Sequence, residues 1–209
     1  MTAVPFNADR FPMDFNWHND QFPPLDAIAY WHYLQGCNEV IEVGCGHSTY
    51  LALKSGKSVT AIDPQPRVEH QQISYIKREV QKIPVSTFLT LKENDILFID
   101  SSHIYSEGSD VFYLINTVLP NLNKGVLIHF HDYFGEHGYP DEWKKDPNMR
   151  LWNENQHIEA IKNQYEVLSE NFSYSKQNND FLKQCYSFVP DNITENLGAV
   201  RGASLWLKN

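Results

Sequence analysis

The stretch E-V-G-C-G-H-S-T, from Glu42 to Thr49, joins the end of an apolar segment to the start of a helical one. Its two glycines carry no Cβ atom, so backbone can come close to a ligand at this turn. A second apolar segment ends in Asp63, about 20 residues further on, where an acid would meet the hydroxyls of a nucleoside ribose. This spacing predicts a nucleoside-binding turn between a strand and a helix.

Two other nucleotide-binding motifs fit this turn less well. A dinucleotide fold uses G-x-G-x-x-G, and Thr49 stands where the third glycine is required. The sequence Gly56-Lys57-Ser58 is similar to the end of a phosphate-binding P-loop, but Leu51 occupies the position of the earlier glycine. A nucleoside cofactor without a phosphate site is therefore a better match than NAD.

Apolar strands alternate with helices along the chain. Strands are predicted at 40–43, 59–62, 73–76, 96–99, 126–130, 165–168 and 203–207, and helices at 25–32, 48–54, 111–119 (with Asp110 as N-cap) and 157–164. This alternation predicts a doubly wound α/β fold, with a parallel sheet covered on both faces. Residues 1–24 have no periodicity and are expected to form an irregular arm or lid before a single domain at 25–209.

Composition and charge exclude several classes of partner. The 17 basic and 26 acidic residues give a net charge of −9, which repels nucleic acid and anionic membrane surfaces. No apolar run is long enough to cross a bilayer, no secretory signal is recognisable at residues 1–10, and the three cysteines form no C-x-x-C pair. We therefore expect a soluble, cytoplasmic protein that binds a small molecule. A homo-oligomer is compatible with the sequence.

Four apolar strands run into a carboxylate: Glu42, Asp63, Asp100 and Asp132. The carboxyl ends of parallel strands line one crevice of an open sheet, and ligands bind there at the topological switch point. A single acid of this kind is equally well explained as a cap of a turn or helix. Four together predict a shared site.

Segments beyond the glycine turn resemble one family. They are A-I-D-P (61–64), D-I-L-F-I-D-S-S-H (95–103), G-S-D-V (108–111), L-P-N-L-N-K-G-V-L-I-H-F-H-D (119–132), Y-P-D-E-W (139–143) and G-A-S-L-W-L (202–207). With the turn, they resemble class I S-adenosylmethionine-dependent methyltransferases, in particular the methyltransferase-24-like bacterial family. The resemblance covers nearly the whole chain from Glu39 onward. It implies a Rossmann-like seven-stranded sheet with an antiparallel last strand, an S-adenosylmethionine cofactor and methyl transfer to a small molecule.

The resemblance also implies roles for individual residues where the motifs match. The cofactor would be bound by Glu42, Gly44, Cys45, Gly46, His47, Ser48, Asp63 and Ser101. Two places depart from the family pattern. Glu79 is the only acid near the position expected to face adenine, and residues 1–24 match no family motif.

Methyl transfer to oxygen requires a nucleophilic hydroxyl, which a general base or a divalent cation can provide. His103 lies three residues past Asp100, and we predict that it is the catalytic base, with Asp100 as a second catalytic residue. Asp100 and Asp132 are predicted to bind Mg²⁺. In the alternative, Asp100 hydrogen-bonds the cofactor while Asp132 orients His103 or His131.

The expected function is O-methylation of a small hydroxylated metabolite, such as a sugar or a secondary metabolite. The H-F-H-D sequence at 129–132 raises a metal-dependent hydroxylase as an alternative. However, strand alternation would place His129 and His131 on one face and Asp132 on the other, and an iron triad uses His-x-Asp. A non-catalytic S-adenosylmethionine-binding protein is also compatible with the sequence.

Aromatic residues after the fifth strand are expected to pack or to border the acceptor pocket: Tyr133, Phe134, Tyr139, Trp143 and Trp152.

Overall fold

The computed structural model describes residues 11–17, 19, 21–67, 69–185, 189 and 202–209. Within these ranges, seven strands form one sheet in the order β3-β2-β1-β4-β5-β7-β6. The strands are β1 Glu39–Val43, β2 Ser58–Ile62, β3 Ser74–Ile76, β4 Ile96–Ile99, β5 Leu127–Phe130, β6 Glu166–Glu170 and β7 Leu205–Lys208. Strands β1 to β5 pair in parallel, and β7 runs antiparallel to both β5 and β6. The predicted doubly wound sheet with an antiparallel last strand is confirmed.

The helices connect the strands on both sides of the sheet. They are α1 Pro24–Leu34, α2 His47–Lys54, α3 Asp110–Tyr113, α4 Asp141–Lys145, α5 Glu154–Ile161, α6 Asn171–Gln177 and α7 Asn179–Cys185. The helical path of α3 continues through a π turn at Leu114–Val118 and a 3-10 turn at Leu119–Asn121, and further 3-10 turns lie at Val80–Lys82, Val85–Thr90, Gly135–His137 and Lys162–Gln164. None of the helices in the described ranges is long and apolar enough to span a membrane.

Two helix boundaries differ from the sequence prediction. Ser109, not Asp110, is the N-cap of α3, and its hydroxyl oxygen accepts the Phe112 N–H at 3.1 Å. Asp110 accepts the backbone N–H of Ser102 across the loop at 2.9 Å and that of Val111 within the helix at 2.9 Å. The helix predicted at 157–164 begins earlier, at Glu154.

Both faces of the sheet are buried, which explains the continuous apolar sequences of its strands. On one face, Leu25 and Ile28 of α1 pack with Val40 and Phe98. The opposite face carries Ile41, Val43, Leu97, Ile99, Ile128 and Phe130, packed against Val111, Leu114 and Val118. Successive residues of each strand alternate between these two cores.

The described part of the N-terminal arm packs onto the α1 side of the protein. Phe11 and Phe15 are buried there, with Phe11 next to Trp31. Phe22 lies further along and contacts His131, with ring centroids 5.5 Å apart. The end of the arm therefore reaches the carboxyl edge of the sheet. Residues 1–10, His18 and Asp20 of the predicted arm lie outside the described residues.

Backbone hydrogen bonds bring the ends of the parallel strands into line. The Asp63 N–H donates to the carbonyl oxygen of Ile76 at 3.2 Å, and the Gly44 N–H donates to that of Ile62 at 3.0 Å. In the same way, Asp100 donates to Val43 at 2.8 Å and His131 donates to Ile99 at 2.9 Å. Strand β1 lies between β2 and β4, so the strand order reverses at this point. This is the topological switch point at which ligands bind in open α/β sheets.

Candidate active site

A cavity of about 820 Å³ opens at the carboxyl ends of β1, β2, β4 and β5. Its size lies in the range of about 300–1,000 Å³ that is usual for small-molecule sites. Ten of the eleven residues predicted for the site line it: Gly44, Cys45, Gly46, His47, Ser48, Asp63, Asp100, Ser101, His103 and Asp132. The remaining one, Glu42, is fully buried and does not line the cavity.

The glycine turn is shaped by one close contact and one open space. Gly44 has φ +87°, and a Cβ atom there would lie 1.8 Å from the carbonyl oxygen of Asp100. At Gly46, a Cβ atom would meet no other atom within 4 Å. Thr49, which replaces the third glycine of the dinucleotide motif, accepts the Gly46 N–H at 2.9 Å. Gly44 is thus required by the packing of β1 against β4, while Gly46 leaves room beside the turn.

Asp63 stands at the end of β2, on the cavity wall. Its Oδ2 accepts the N–H of Cys45 at 3.1 Å, and its Oδ1 accepts the N–H of Gln65 at 2.7 Å. A carboxylate has about four acceptor positions, so each oxygen can accept a further hydrogen bond from a ligand hydroxyl. Glu79, the acid expected near adenine, lines the same cavity.

Glu42 is fully buried behind the glycine turn and is not part of the cavity wall formed by the described residues. The Ser48 hydroxyl donates to its Oε1, whereas Oε2 has no hydrogen-bond partner. Burial raises the pKa of Glu42 to about 8; hydrogen bonds from Ser48 and Thr49 oppose this shift, and the charges of Asp100 and Asp63 add to it. Glu42 is therefore protonated at neutral pH and holds Ser48, which does line the cavity.

Replacing Glu42 with glutamine is expected to stabilise the protein increasingly as the pH rises from 4.5 toward 8. The unfolded carboxyl ionises near 4.5, while the folded one stays neutral up to about 8, so the wild type loses stability across that window. At pH 7 the gain from Glu42→Gln should be on the order of 1–3 kcal/mol. Urea denaturation of both proteins at pH 5, 6, 7 and 8 measures this difference. A difference that does not change with pH would contradict the assignment.

His103 lies at the centre of a group of carboxylates. Its Nδ1 is 2.9 Å from Oε2 of Glu154, and its Nε2 is 3.4 Å from Oδ1 of Asp100 and 3.5 Å from Oδ2 of Asp132. The ring is 4% exposed and lies beside Trp152, with centroids 4.2 Å apart. Burial would lower the pKa of His103, but the surrounding carboxylates outweigh it and raise the pKa to about 10. Both ring nitrogens thus face carboxylate oxygens.

Asp100, His103 and Asp132 each offer a ligand atom, and these atoms all lie within 4.8 Å of one another. Asp100 is partly open to solvent. Burial would raise its pKa, but the neighbouring charges of His131 and His103 outweigh this effect and lower it to about 2. Asp100 is therefore ionised at every physiological pH and can act as a cation ligand.

The predicted orientation of Asp132 is wrong. Strand alternation placed it on the face opposite His131, but its Oδ1 lies 3.4 Å from Nδ1 of His131. The reason is that β5 ends at Phe130 and Asp132 has φ +54°, which turns the chain back toward the cavity. His103, with φ +59°, has the same unusual backbone. Strained residues of this kind concentrate at functional sites.

The two histidines of the H-F-H-D sequence have different environments. His129 is buried in the core, where it stacks on Phe98 at 3.8 Å and contacts the Ser204 hydroxyl at 2.9 Å through Nε2. His131 is also buried but lines the cavity, and its two ring nitrogens face Asp132 and Asp26 at 3.4 and 3.5 Å. The alternative site built from both histidines therefore receives no support from this geometry.

Two acids that contact His103 and His131 were not predicted from the sequence. Glu154, at the start of α5, contacts His103 from 51 positions away in the chain. Asp26, buried in α1, lies 3.5 Å from His131 Nε2 and accepts the N–H of Ala203 at 2.7 Å. Neither acid follows a strand or belongs to a recognisable motif, so no local signal marks them.

The aromatic residues after β5 divide into two groups. Trp143 and Trp152 line the cavity on the side of His103, together with Asn148 and Met149. The other three are buried in the hydrophobic cores: Tyr133, Phe134 and Tyr139. The first group forms a partly apolar wall beside the carboxylate cluster.

Part of the chain matches a known family model. Residues 41–133 match the methyltransferase-24 family model, which is described as a methyltransferase domain. This segment contains the glycine turn, Asp63, Asp100, His103 and Asp132. The family resemblance inferred from the sequence motifs is confirmed for this segment of the chain. A search of the curated proteins by sequence finds no match.

Three solved structures are similar to the chain. A candidate methyltransferase from Thermobifida fusca YX is 13% identical, with 88% of this chain and 81% of that chain covered and a TM-score of 0.50. A Corynebacterium glutamicum protein is 13% identical, with coverages of 66% and 71% and a TM-score of 0.41. A candidate S-adenosylmethionine-dependent methyltransferase from Listeria monocytogenes is 15% identical, with coverages of 86% and 98% and a TM-score of 0.34. Of these, the first supports the fold.

Proposed function

We propose that the protein transfers a methyl group from S-adenosylmethionine to a hydroxyl of a small metabolite, such as a sugar or a secondary metabolite. The observation that carries this proposal is that one cavity contains two different sets of residues. One set is the glycine turn with Asp63, and the other is Asp100, His103 and Asp132 beside two tryptophans. The first set suits a nucleoside cofactor, and the second suits a hydroxylated acceptor.

The cofactor would occupy the end of the cavity formed by the turn after β1. Residues 44–48, Asp63 and Ser101 are proposed to hold it, with Asp63 accepting from the ribose hydroxyls. Two features fit such a ligand: the open space at Gly46 and the spare acceptor positions of Asp63. When bound, S-adenosylmethionine supplies an electrophilic methyl group on its sulfonium. Glu42 contributes indirectly by fixing Ser48.

The acceptor hydroxyl would lie at the other end, against Asp100, His103 and Asp132. A general base presents a free nitrogen to its substrate, whereas both nitrogens of His103 face carboxylates. This arrangement favours activation by a divalent cation bound to Asp100 and Asp132 over proton removal by His103 alone. Such a cation, Mg²⁺ or another ion, lowers the pKa of a bound hydroxyl.

The walls of the cavity favour a small acceptor without strong negative charge. Among its described lining residues, Arg67 is the only arginine or lysine, and it lies at the exposed rim. The acceptor end instead carries carboxylates and the faces of Trp143 and Trp152. We propose that residues 25–209 form the single catalytic domain and that the end of the arm, at Phe22, completes the cavity.

Cofactor binding is tested by calorimetric titration of S-adenosylmethionine and S-adenosylhomocysteine into the wild type and Asp63→Asn. The substitution removes the charge that would receive the ribose hydroxyls, and hydrogen bonds to charged groups contribute about 1.5–3 kcal/mol each. We expect both ligands to bind the variant at least about tenfold more weakly. Asp141→Asn is the matched control, because Asp141 is exposed in α4 and pairs only with Lys144 among the described side chains.

Methyl transfer is then measured with isotope-labelled S-adenosylmethionine and a panel of sugars, catechols and other hydroxylated compounds. Transfer to an oxygen, identified in the product by mass spectrometry, would support the proposal. Failure of the wild type to bind either cofactor form would overturn it. Cofactor binding without transfer to any acceptor would instead favour a non-catalytic binding protein.

A further inference from the structure

The carboxylate cluster contains a nitrogen donor as well as oxygen donors. Nε2 of His103 lies 3.4 Å from Oδ1 of Asp100 and 3.5 Å from Oδ2 of Asp132. Atoms that bind one ion at about 2.1 Å lie about 3.0–3.4 Å apart in octahedral or tetrahedral geometry. The observed spacings are close to this range and longer than ordinary hydrogen bonds. The three side chains are thus arranged as ligands of one ion would be.

Glu154 gives His103 the environment of a metal-binding histidine. Its Oε2 lies 2.9 Å from Nδ1, the nitrogen that faces away from the two aspartates. Histidines that bind metals usually donate their second ring N–H to a carboxylate, which fixes the tautomer and directs the other nitrogen to the ion. Glu154 is 2% exposed, so this contact is well shielded from water. It leaves Nε2 as the donor atom.

A second histidine lies beside the same cluster. His131 is 3% exposed, and its Nε2 is 3.5 Å from Oδ2 of Asp26. Its Nδ1 faces the cluster, at 3.4 Å from Oδ1 of Asp132 and 3.7 Å from Oδ1 of Asp100. His131 is thus placed to orient both aspartates.

The chemistry of the donors selects the class of ion. Mg²⁺ prefers oxygen ligands and gives up its waters reluctantly. Imidazole nitrogen favours later divalent metals such as Zn²⁺ and Co²⁺. Zinc sites with a catalytic role use three protein ligands drawn from histidine and carboxylates and keep one position open. A mixed set of one imidazole and two carboxylates matches that pattern better than an all-oxygen magnesium site.

We propose that Asp100, His103 and Asp132 together bind a divalent transition-metal ion, with His103 as a ligand through Nε2. Glu154 and His131 are positioning residues that orient these ligands. The open position of the site would face the acceptor end of the cavity. This assignment deepens the proposed function, on which its catalytic meaning rests, but metal binding can be measured without cofactor or acceptor.

The test is calorimetric titration of the metal-free, full-length protein with Co²⁺ and, separately, with Mg²⁺. We expect one Co²⁺ ion to bind at least about tenfold more tightly than Mg²⁺. His103→Gln should lower Co²⁺ affinity at least about tenfold with little effect on Mg²⁺, and Glu154→Gln should lower Co²⁺ affinity about 10- to 100-fold. Proton NMR of the Co²⁺ protein should show a hyperfine-shifted ring N–H signal that is lost in His103→Gln but retained in His131→Gln.

His137→Gln is the matched control for binding at surface histidines, because His137 is exposed and does not line the cavity. It should leave Co²⁺ affinity unchanged. Circular dichroism and S-adenosylmethionine affinity verify that each variant is folded, since the cofactor end does not include His103. Equal affinity for Mg²⁺ and Co²⁺, unchanged Co²⁺ affinity in His103→Gln, or no binding of either ion would overturn the proposal. Co²⁺ binding by the wild type as expected, without methyl transfer to any acceptor, would count against the proposed function but not against the metal site.

Discussion

Replacing His103 with alanine is expected to lower the methyl-transfer rate at least about 100-fold. Its imidazole lies between Asp100, Asp132 and Glu154, and it faces the cavity beside Trp152. Loss of a residue that activates the acceptor, as a base or through a bound ion, costs about 10²–10⁴ in rate. Single-turnover assays with labelled S-adenosylmethionine measure the effect.

Cofactor affinity separates this effect from a general loss of structure. His103→Ala should bind S-adenosylmethionine within about twofold of the wild type, because the cofactor is proposed to bind at the other end of the cavity. His103→Asn provides a second variant, since asparagine tolerates the left-handed backbone at this position. It should be as inactive as the alanine variant. A rate within tenfold of the wild type for either variant would exclude a catalytic role for His103.

Gly44→Ala is expected to destabilise the fold by at least about 3 kcal/mol. The added Cβ atom would lie 1.8 Å from the carbonyl oxygen of Asp100. That oxygen belongs to backbone at the β1–β4 junction, where Asp100 also donates its N–H to Val43. The clash cannot be relieved by rotating a side chain. The loss is a large part of the 5–15 kcal/mol that typically separates folded from unfolded protein.

Gly56→Ala is the matched control for this prediction. Gly56 has φ +72°, similar to that of Gly44, but a Cβ atom there would meet no other atom within 4 Å. Its substitution should cost only the backbone strain, about 1–2 kcal/mol. Chemical denaturation of the two variants therefore isolates the contact with Asp100. Equal losses would show that the close approach of β1 and β4 is not what requires glycine at position 44.

Much of the fold was predictable because the strands are short, apolar and separated by helical segments. All seven predicted strands overlap observed ones. The largest shifts are at β6, predicted at 165–168 and observed at Glu166–Glu170, and at β7, predicted at 203–207 and observed at Leu205–Lys208. The predicted helix boundary was wrong where a side chain had two possible hydrogen-bond partners. Asp110 could cap α3 or bond across to Ser102, and it does the latter while Ser109 takes the cap. Such choices depend on which groups the folded loop brings near.

The site was predictable to the extent that it depends on the ends of parallel strands. Asp63, Asp100 and Asp132 each follow a strand, and the topology alone brings them to one edge of the sheet. Glu42 shows the limit of this rule. It belongs to the same motif, but it points into the core because it lies within β1, one residue before the strand ends. The motif could not distinguish a wall residue from one behind the wall.

The sequence by itself determined the alternation of strands and helices, the glycine turn and the acids at the strand ends. These features are local, because apolar periodicity and glycine's lack of a Cβ act over a few neighbouring residues. Only the tertiary structure decided that Glu154 holds His103, that Asp26 faces His131 and that the backbone at Asp132 turns its carboxylate into the cavity. These contacts join separate elements, and packing between elements, rather than any local preference, fixes their geometry.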